Sequence, residues 1–262
     1  MRIKCTESIP PDVTEALYLT DSSTRRFEAT VERVADDRVV LDRTCFYPAG
    51  GGQPADAGTL TADGTEWAVT DVAKKDTIYH TLGEEPPEPG TAIVGELDWD
   101  RRHAHMRYHT AQHLLSALLL DEFDAQTTGN QVYADRARLD CDYDRFDEAD
   151  LATIEDGLNE LVDDELPVRW YEMDRETAEA ELDTDRTRID LLPDSITELR
   201  IVEIGGAGPP GACDRADAAA DPYDRTACAG THVESTGDVG TVTVTGRETR
   251  GSDGERIRFE LA

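Results

Sequence analysis

The apolar pattern of this 262-residue chain changes period near residue 96, and that change limits what it can fold into. Before it, apolar residues alternate in short runs. Phe27, Ala29 and Val31 share one face of the stretch 27–34, Asp36-Asp37 signals a turn, and Val39 to Leu41 returns. Asp63-Gly64 is a stronger hairpin signal ahead of Trp67 to Val72. Ile78, His80 and Leu82 alternate again. Pro86-Pro87-Glu88-Pro89-Gly90 breaks the pattern, and Ala92 to Leu97 resumes it. Short strands at regular spacing with no long helix predict a small β-barrel over residues 1–95.

Residues 96–262 read as mixed, and the whole chain as α+β. Ala104 to Leu120 has helical character. Asp147 to Glu165 is a second helix, with Leu151, Ile154, Leu158, Leu161 and Val162 at 3/4 spacing and Asp147 or Asp150 as its N-cap. Arg175 to Leu182 is a short helix. Strands are expected at Leu139 to Tyr143, Val168 to Tyr171, Leu199 to Ile204, Val239 to Thr245 and Ile257 to Leu261. The last two are joined by Arg250-Gly251-Ser252-Asp253-Gly254. Gly205 to Ala227, rich in Gly, Ala, Asp and Pro, is expected to be a mobile insertion with no chemistry of its own.

Acidic residues outnumber basic ones 57 to 26, and the net charge is −31. Such a charge with low hydrophobicity can prevent folding. Here apolar periodicity persists in nearly every segment, so a surface adapted to high salt is the better reading. At molar salt the Debye length is about 3 Å and self-repulsion is screened. Counterion release then contributes little, so the charge neither supports nor excludes an RNA partner. Five cysteines (Cys5, Cys45, Cys141, Cys213 and Cys228) are scattered and odd in number, unlike a disulfide framework. No apolar run is long enough to span a membrane and none resembles a signal core, so a soluble cytoplasmic protein is expected.

The chemistry is concentrated in two short motifs. His109 and His113 stand at i and i+4, which on a helix puts both imidazoles on one face. Cys228 and His232 repeat that spacing in a later loop. Two His from a helix with Cys and His from a loop make a donor set that suits Zn2+. A zinc protease would need Glu after the first His, and Thr110 stands there. Four protein ligands suit a structural site, whereas a loose ligand or an expanded coordination would permit catalysis. His103 and His105 are expected to be exposed or to meet phosphate, His80 to pack in the strand-rich part, and Cys213 to stay off the metal.

The run His109-Thr110-Ala111-Gln112-His113-Leu114-Leu115 resembles the helix motif of the alanyl-tRNA synthetase editing domain and of its free-standing AlaX relatives. Cys228-Ala229-Gly230-Thr231-His232-Val233, continuing to Gly240, resembles their second motif. Thr127-Thr128-Gly129-Asn130-Gln131 and Asp135 to Asp140 are also similar. Thr44 to Pro48 with Gly50-Gly51-Gly52-Gln53-Pro54 resembles the glycine-rich motif of the medium-length members. The chain departs from the pattern at Ala229, usually Gly, and in its long segment before Cys228.

The resemblance implies an N-terminal barrel followed by a zinc-dependent editing domain. It implies hydrolysis of the ester on misacylated tRNA(Ala), with serine or glycine as the wrong amino acid. His109, His113, Cys228 and His232 would hold zinc, and Thr127 or Thr128 would read the serine hydroxyl. Gln53 would position water or the tRNA end, or else belong to a turn closing the barrel. Phe46 and Tyr47 are either base-stacking or core residues. Backbone donors could stabilise the oxyanion, and no general base is obvious. The rivals are an editing hydrolase for another tRNA, such as that for threonine, and a non-catalytic zinc or tRNA-binding module. Aminoacylation is not expected, because two such domains leave no room for an ATP-binding one.

Overall fold

The computed structural model describes residues 13–182, 186–187, 189, 193, 195–206, 221–251 and 254–262. Cys5, Cys213, the turn residues Ser252 and Asp253, and residues 207–220 of the expected insertion lie outside them. The chain divides into two compact units. One takes the chain up to Gly50 with Pro54–Arg102, and the other takes Gly51–Gln53 with His103–Ala262.

In the first unit β1 (Glu15–Ala16) pairs in parallel with β4 (Arg43–Thr44). The other strands are β2 (Arg26–Ala35), β3 (Arg38–Leu41), β5 (Gly58–Ala62), β6 (Thr65–Lys74), β7 (Ile78–Leu82) and β8 (Ala92–Leu97). These six close a barrel in the order β2-β3-β7-β6-β5-β8. The division expected at 95/96 therefore falls inside β8. Asp63 and Gly64 have φ of 49° and 82°, the two left-handed positions that a tight hairpin turn requires. Alternation does what it predicts: Phe27, Ala29, Val31, Leu60, Val69, Ile78 and Leu82 fill the core.

Phe46 and Tyr47 belong to that core, with Phe46 edge-on to Phe27 and Tyr47 edge-on to Tyr18. Their buried rings have no face left for a nucleobase. Arg102 is fully buried and donates from Nε to both oxygens of Asp56 (3.1 and 3.0 Å) and from Nη1 to the Ser22 carbonyl (3.0 Å). The same carboxylate accepts the Tyr47 N–H at 2.6 Å. A buried charge is tolerated only when paired and hydrogen-bonded in this way.

The long helix α1 (Trp99–Phe123) starts five residues before the expected Ala104 and carries the second unit's core. Residues 108–119 are all buried, so α1 is covered on every side rather than along one stripe. His105 is also buried, against the expectation of an exposed or phosphate-contacting side chain. An antiparallel sheet has the order β14-β15-β10-β9, with β9 (Thr127–Val132), β10 (Ala137–Cys141), β14 (Val242–Thr249) and β15 (Glu255–Leu261). A second, β11-β12-β13, is built from β11 (Val168–Asp174), β12 (Glu198–Ile204) and β13 (Asp224–Ala227). Helix α3 (Arg175–Glu181) follows β11.

Helix α2 (Glu148–Asp163) buries Ile154, Leu158 and Val162. Asp147 is its N-cap and accepts from Ala149 and Asp150 N–H, while the Asp147 N–H donates to the Asp150 side chain. Its polar side chains also cover an edge strand. Asn159 exchanges two hydrogen bonds with the Val242 backbone (2.9 Å each), and Glu155 accepts the Val244 N–H at 2.6 Å. The strand expected from Val239 starts instead at Val242. Residues Thr236–Val239 form a 3₁₀ turn capped by Ser235, and Gly240 at φ 78° redirects the chain.

Candidate metal centre

His109, His113, Cys228 and His232 bring one donor atom each to within 4.8 Å of one another. Helix geometry supplies the first two and the loop after β13 the others. Each imidazole is held at Nδ1, which leaves Nε2 for the centre. The Thr231 N–H can only donate, and it meets Gln53 Oε1 at 3.2 Å. That fixes the orientation of the amide, so His109 Nδ1, at 2.8 Å from the same oxygen, must carry its proton. Gln53 Nε2 donates to Thr231 Oγ1 at 2.9 Å.

His113 Nδ1 lies 2.8 Å from Asp224 Oδ2, a carboxylate that can only accept. His232 Nδ1 lies 3.2 Å from Thr110 Oγ1, which also accepts the Val233 N–H at 3.3 Å. One carboxamide, one carboxylate and one hydroxyl thus orient three rings.

The spacing suits a tetrahedral ion. Cys228 Sγ lies 3.6 Å from His109 Nε2 and 3.4 Å from His232 Nε2. Ordinary Zn–N and Zn–S bonds at tetrahedral angles separate N from S by about 3.6 Å. Electrostatics agree. Burial alone would push the Cys228 thiol up, but the His109 charge and hydrogen bonds with His109, His113 and His232 override it. They hold the thiol well below its ordinary value. Burial, reinforced by the His109 charge, pulls His232 down to about 3, so its ring is a neutral donor. Burial would pull His113 down, but its hydrogen bonds with Asp224 and Cys228 raise it to about 9, so its ring holds a proton that a bound cation would displace. With that proton gone, a thiolate and three imidazole nitrogens around one point fit a borderline-soft cation. Gly230 allows this closeness, because a Cβ there would stand 2.1 Å from His109 Cε1.

The glycine-rich turn meets the centre through its last residue. Gly52 has φ 81°, and its carbonyl accepts from Val132 N–H at 2.9 Å and from Gln131 Nε2 at 3.0 Å. The turn so anchored on β9 delivers Gln53, which is 2% exposed and has its amide committed to His109 and Thr231. Thr127 and Thr128 open β9 at a register skip: Thr127 pairs with Cys141 and Gly129 with Asp140, leaving Thr128 as the extra residue. Thr128 is exposed. Thr127 Oγ1 lies 2.5 Å from Ser116 Oγ, and Ser116 stands one helical turn beyond His113. The N–H groups of Gly230 and Thr231 are engaged by Cys228 Sγ and Gln53, so neither is free for an oxyanion.

Residues 13–101 match the family model of class II (A) tRNA synthetases, and residues 199–258 match the threonyl and alanyl tRNA synthetase second additional domain. The alanyl-tRNA editing protein AlaX-M of Methanosarcina barkeri is 38% identical over 95% of this chain and 99% of its own length. Its counterpart in Methanosarcina acetivorans is 37% identical over the same shares. The chain belongs to the AlaX-M family of alanyl-tRNA editing proteins. The alanine–tRNA ligase of Pyrococcus furiosus is also similar, at 36% over 95% of this chain but 26% of the ligase.

Two parts of the centre are not marked in the sequence. Asp224 is one of 57 acidic residues and stands in the stretch expected to be inert. The structure corrects that expectation at its C-terminal end: residues 224–227 are strand β13, and Asp224 is buried against His113. Nothing in local composition marks it, because its partner is 111 positions away. Thr110 is noticeable in the sequence only for not being Glu, yet its hydroxyl faces His232.

Proposed function

We propose that this chain is a trans-acting hydrolase that releases the wrong amino acid from misacylated tRNA(Ala). Seryl-tRNA(Ala) is its first substrate and glycyl-tRNA(Ala) its second. The observation that carries this reading is the buried donor cluster, every imidazole oriented by its own partner, in a chain that matches the editing proteins over nearly their full length. A synthetase pocket selecting alanine rejects serine and glycine poorly by size alone, and against serine a second site can read the hydroxyl that alanine lacks.

His109, His113, Cys228 and His232 are the residues that would hold Zn2+. When bound, the ion supplies Lewis-acid polarisation of the ester carbonyl and of water. The protein's part is to hold that centre rigid. Gln53 ties α1 to the Cys228–His232 loop. Arg200 clamps the loop from its other side, donating to the carbonyls of Cys228 (2.7 Å) and Gly230 (3.2 Å). Gln53 serves as a positioning residue for His109 in this reading. Thr127 and Thr128 are the two candidates for reading the serine hydroxyl. Valine at the right one lowers seryl-ester hydrolysis while zinc stays bound, and valine at the other leaves both unchanged.

Cys228→Ala tests the assignment directly. The variant is expected to lose stoichiometric zinc and at least 100-fold in hydrolysis of seryl-tRNA(Ala). Unchanged zinc content, read by atomic absorption on the purified protein, contradicts the ligand set. Full zinc and no hydrolysis by the wild type would point to a binding module.

A further inference from the structure

We propose that Asp224 and Arg186 form a positioning pair that fixes His113 as a metal donor. The inference rests on the reading that the His/Cys cluster holds zinc. Arg186 grips the Asp224 carboxylate with both ends of its fork: Nε to Oδ1 at 2.9 Å and Nη2 to Oδ2 at 2.9 Å. The same Nη2 reaches the His113 carbonyl at 3.3 Å, so Arg186 bonds both the carboxylate and the backbone of the residue it serves. Asp224 is 4% exposed, and its Oδ2 takes the His113 Nδ1–H.

The three histidines are thus not held alike. His109 leans on a neutral amide and His232 on a hydroxyl at 3.2 Å that also serves a backbone N–H. Among the described residues, His113 alone of the three faces a carboxylate. A carboxylate partner raises the basicity of the opposite ring nitrogen and fixes its direction. Arg186 balances the buried charge and stops the carboxylate from rotating, as a bidentate pair does. Strand β13 carries this aspartate in its first position, and its register with β12 sets the depth: Asp224 pairs with Ile204 and Ala227 with Ile201.

The test is zinc affinity, measured by chelator competition on the full chain in molar KCl. Asp224→Asn keeps the shape and removes the charge, and is expected to weaken zinc binding 10–100-fold. Arg186→Gln leaves the carboxylate in place but loose, and is expected to cost less than Asp224→Asn; it keeps the test alive if Asp224→Asn does not fold. A role through His113 also predicts non-additivity: in a His113→Ala background, Asp224→Asn changes zinc affinity less than twofold. Folded Asp224→Asn or Arg186→Gln protein with wild-type zinc affinity overturns the proposal, as does full additivity in the cycle. A wild-type chain that binds no zinc overturns it together with the metal centre. Loss of hydrolysis with zinc affinity retained overturns it alone.

Discussion

His80 is a histidine that has to stay neutral. Its Nδ1 faces the Val39 carbonyl at 3.3 Å and must donate. Its Nε2 then accepts from Thr44 Oγ1 at 2.8 Å, and that hydroxyl receives the Phe46 N–H at 3.1 Å. Burial pulls its pKa from 6.5 down to about 4. Below pH 6.5 the unfolded chain therefore takes up a proton that the folded barrel refuses. The stabilisation is complete above pH 6.5 and is lost as pH falls to about 4, on the order of 3 kcal/mol in all. His80→Gln, which keeps one donor and one acceptor, is expected to flatten this part of the acid unfolding curve in urea titrations at pH 7.5 and 4.5. A variant as acid-sensitive as the wild type contradicts the account. Its place in strand packing was legible from the alternation with Ile78 and Leu82. The proton on Nδ1 was not, because it depends on a carbonyl 41 positions away.

At the scale of elements, the glycine-rich turn and β9 act as one device. Gly52 combines φ 81° with a position where a Cβ would stand 1.6 Å from Asn130 Oδ1 and 3.1 Å from the Asn130 carbonyl. Alanine there is expected to cost about 1–2 kcal/mol in unfolding free energy from backbone strain. It also displaces Gln53 and lowers zinc affinity, read by thermal melts and chelator competition. A Gly52→Ala protein with wild-type melting and zinc binding contradicts this coupling. The pattern of elements was largely readable: alternation marked the barrel strands and Asp63-Gly64 the hairpin, while the cap of α2 was narrowed to Asp147 or Asp150, of which Asp147 is the cap. β9 was less so, since Thr-Thr-Gly-Asn-Gln-Val shows neither apolar alternation nor β-branched runs beyond its ends. The strand expected from Val239 missed Gly240, whose left-handed φ ends the turn before it. Spacing within motifs exposed the four donors, but their partners Gln53, Asp224 and Thr110 are set by tertiary pairing.

For the whole molecule, charge is the dominant fact. Net charge of −31 on 262 residues opposes compaction at low ionic strength, where repulsion reaches across the surface. Among the described residues, no helix is long and apolar enough to cross a membrane. The thermal midpoint is expected to rise by more than 10 °C between 0.2 and 3 M KCl, with most of the gain at the low end where screening changes fastest. A flat response contradicts a salt-adapted surface. Editing is the central claim, and the deciding measurement is deacylation of seryl- and alanyl-tRNA(Ala) side by side in molar KCl, with zinc assayed on the same protein. Rapid loss of the seryl ester, with the alanyl ester spared and near one zinc per chain, is the predicted result. Equal hydrolysis of both esters, or of neither by folded zinc-loaded protein, contradicts it.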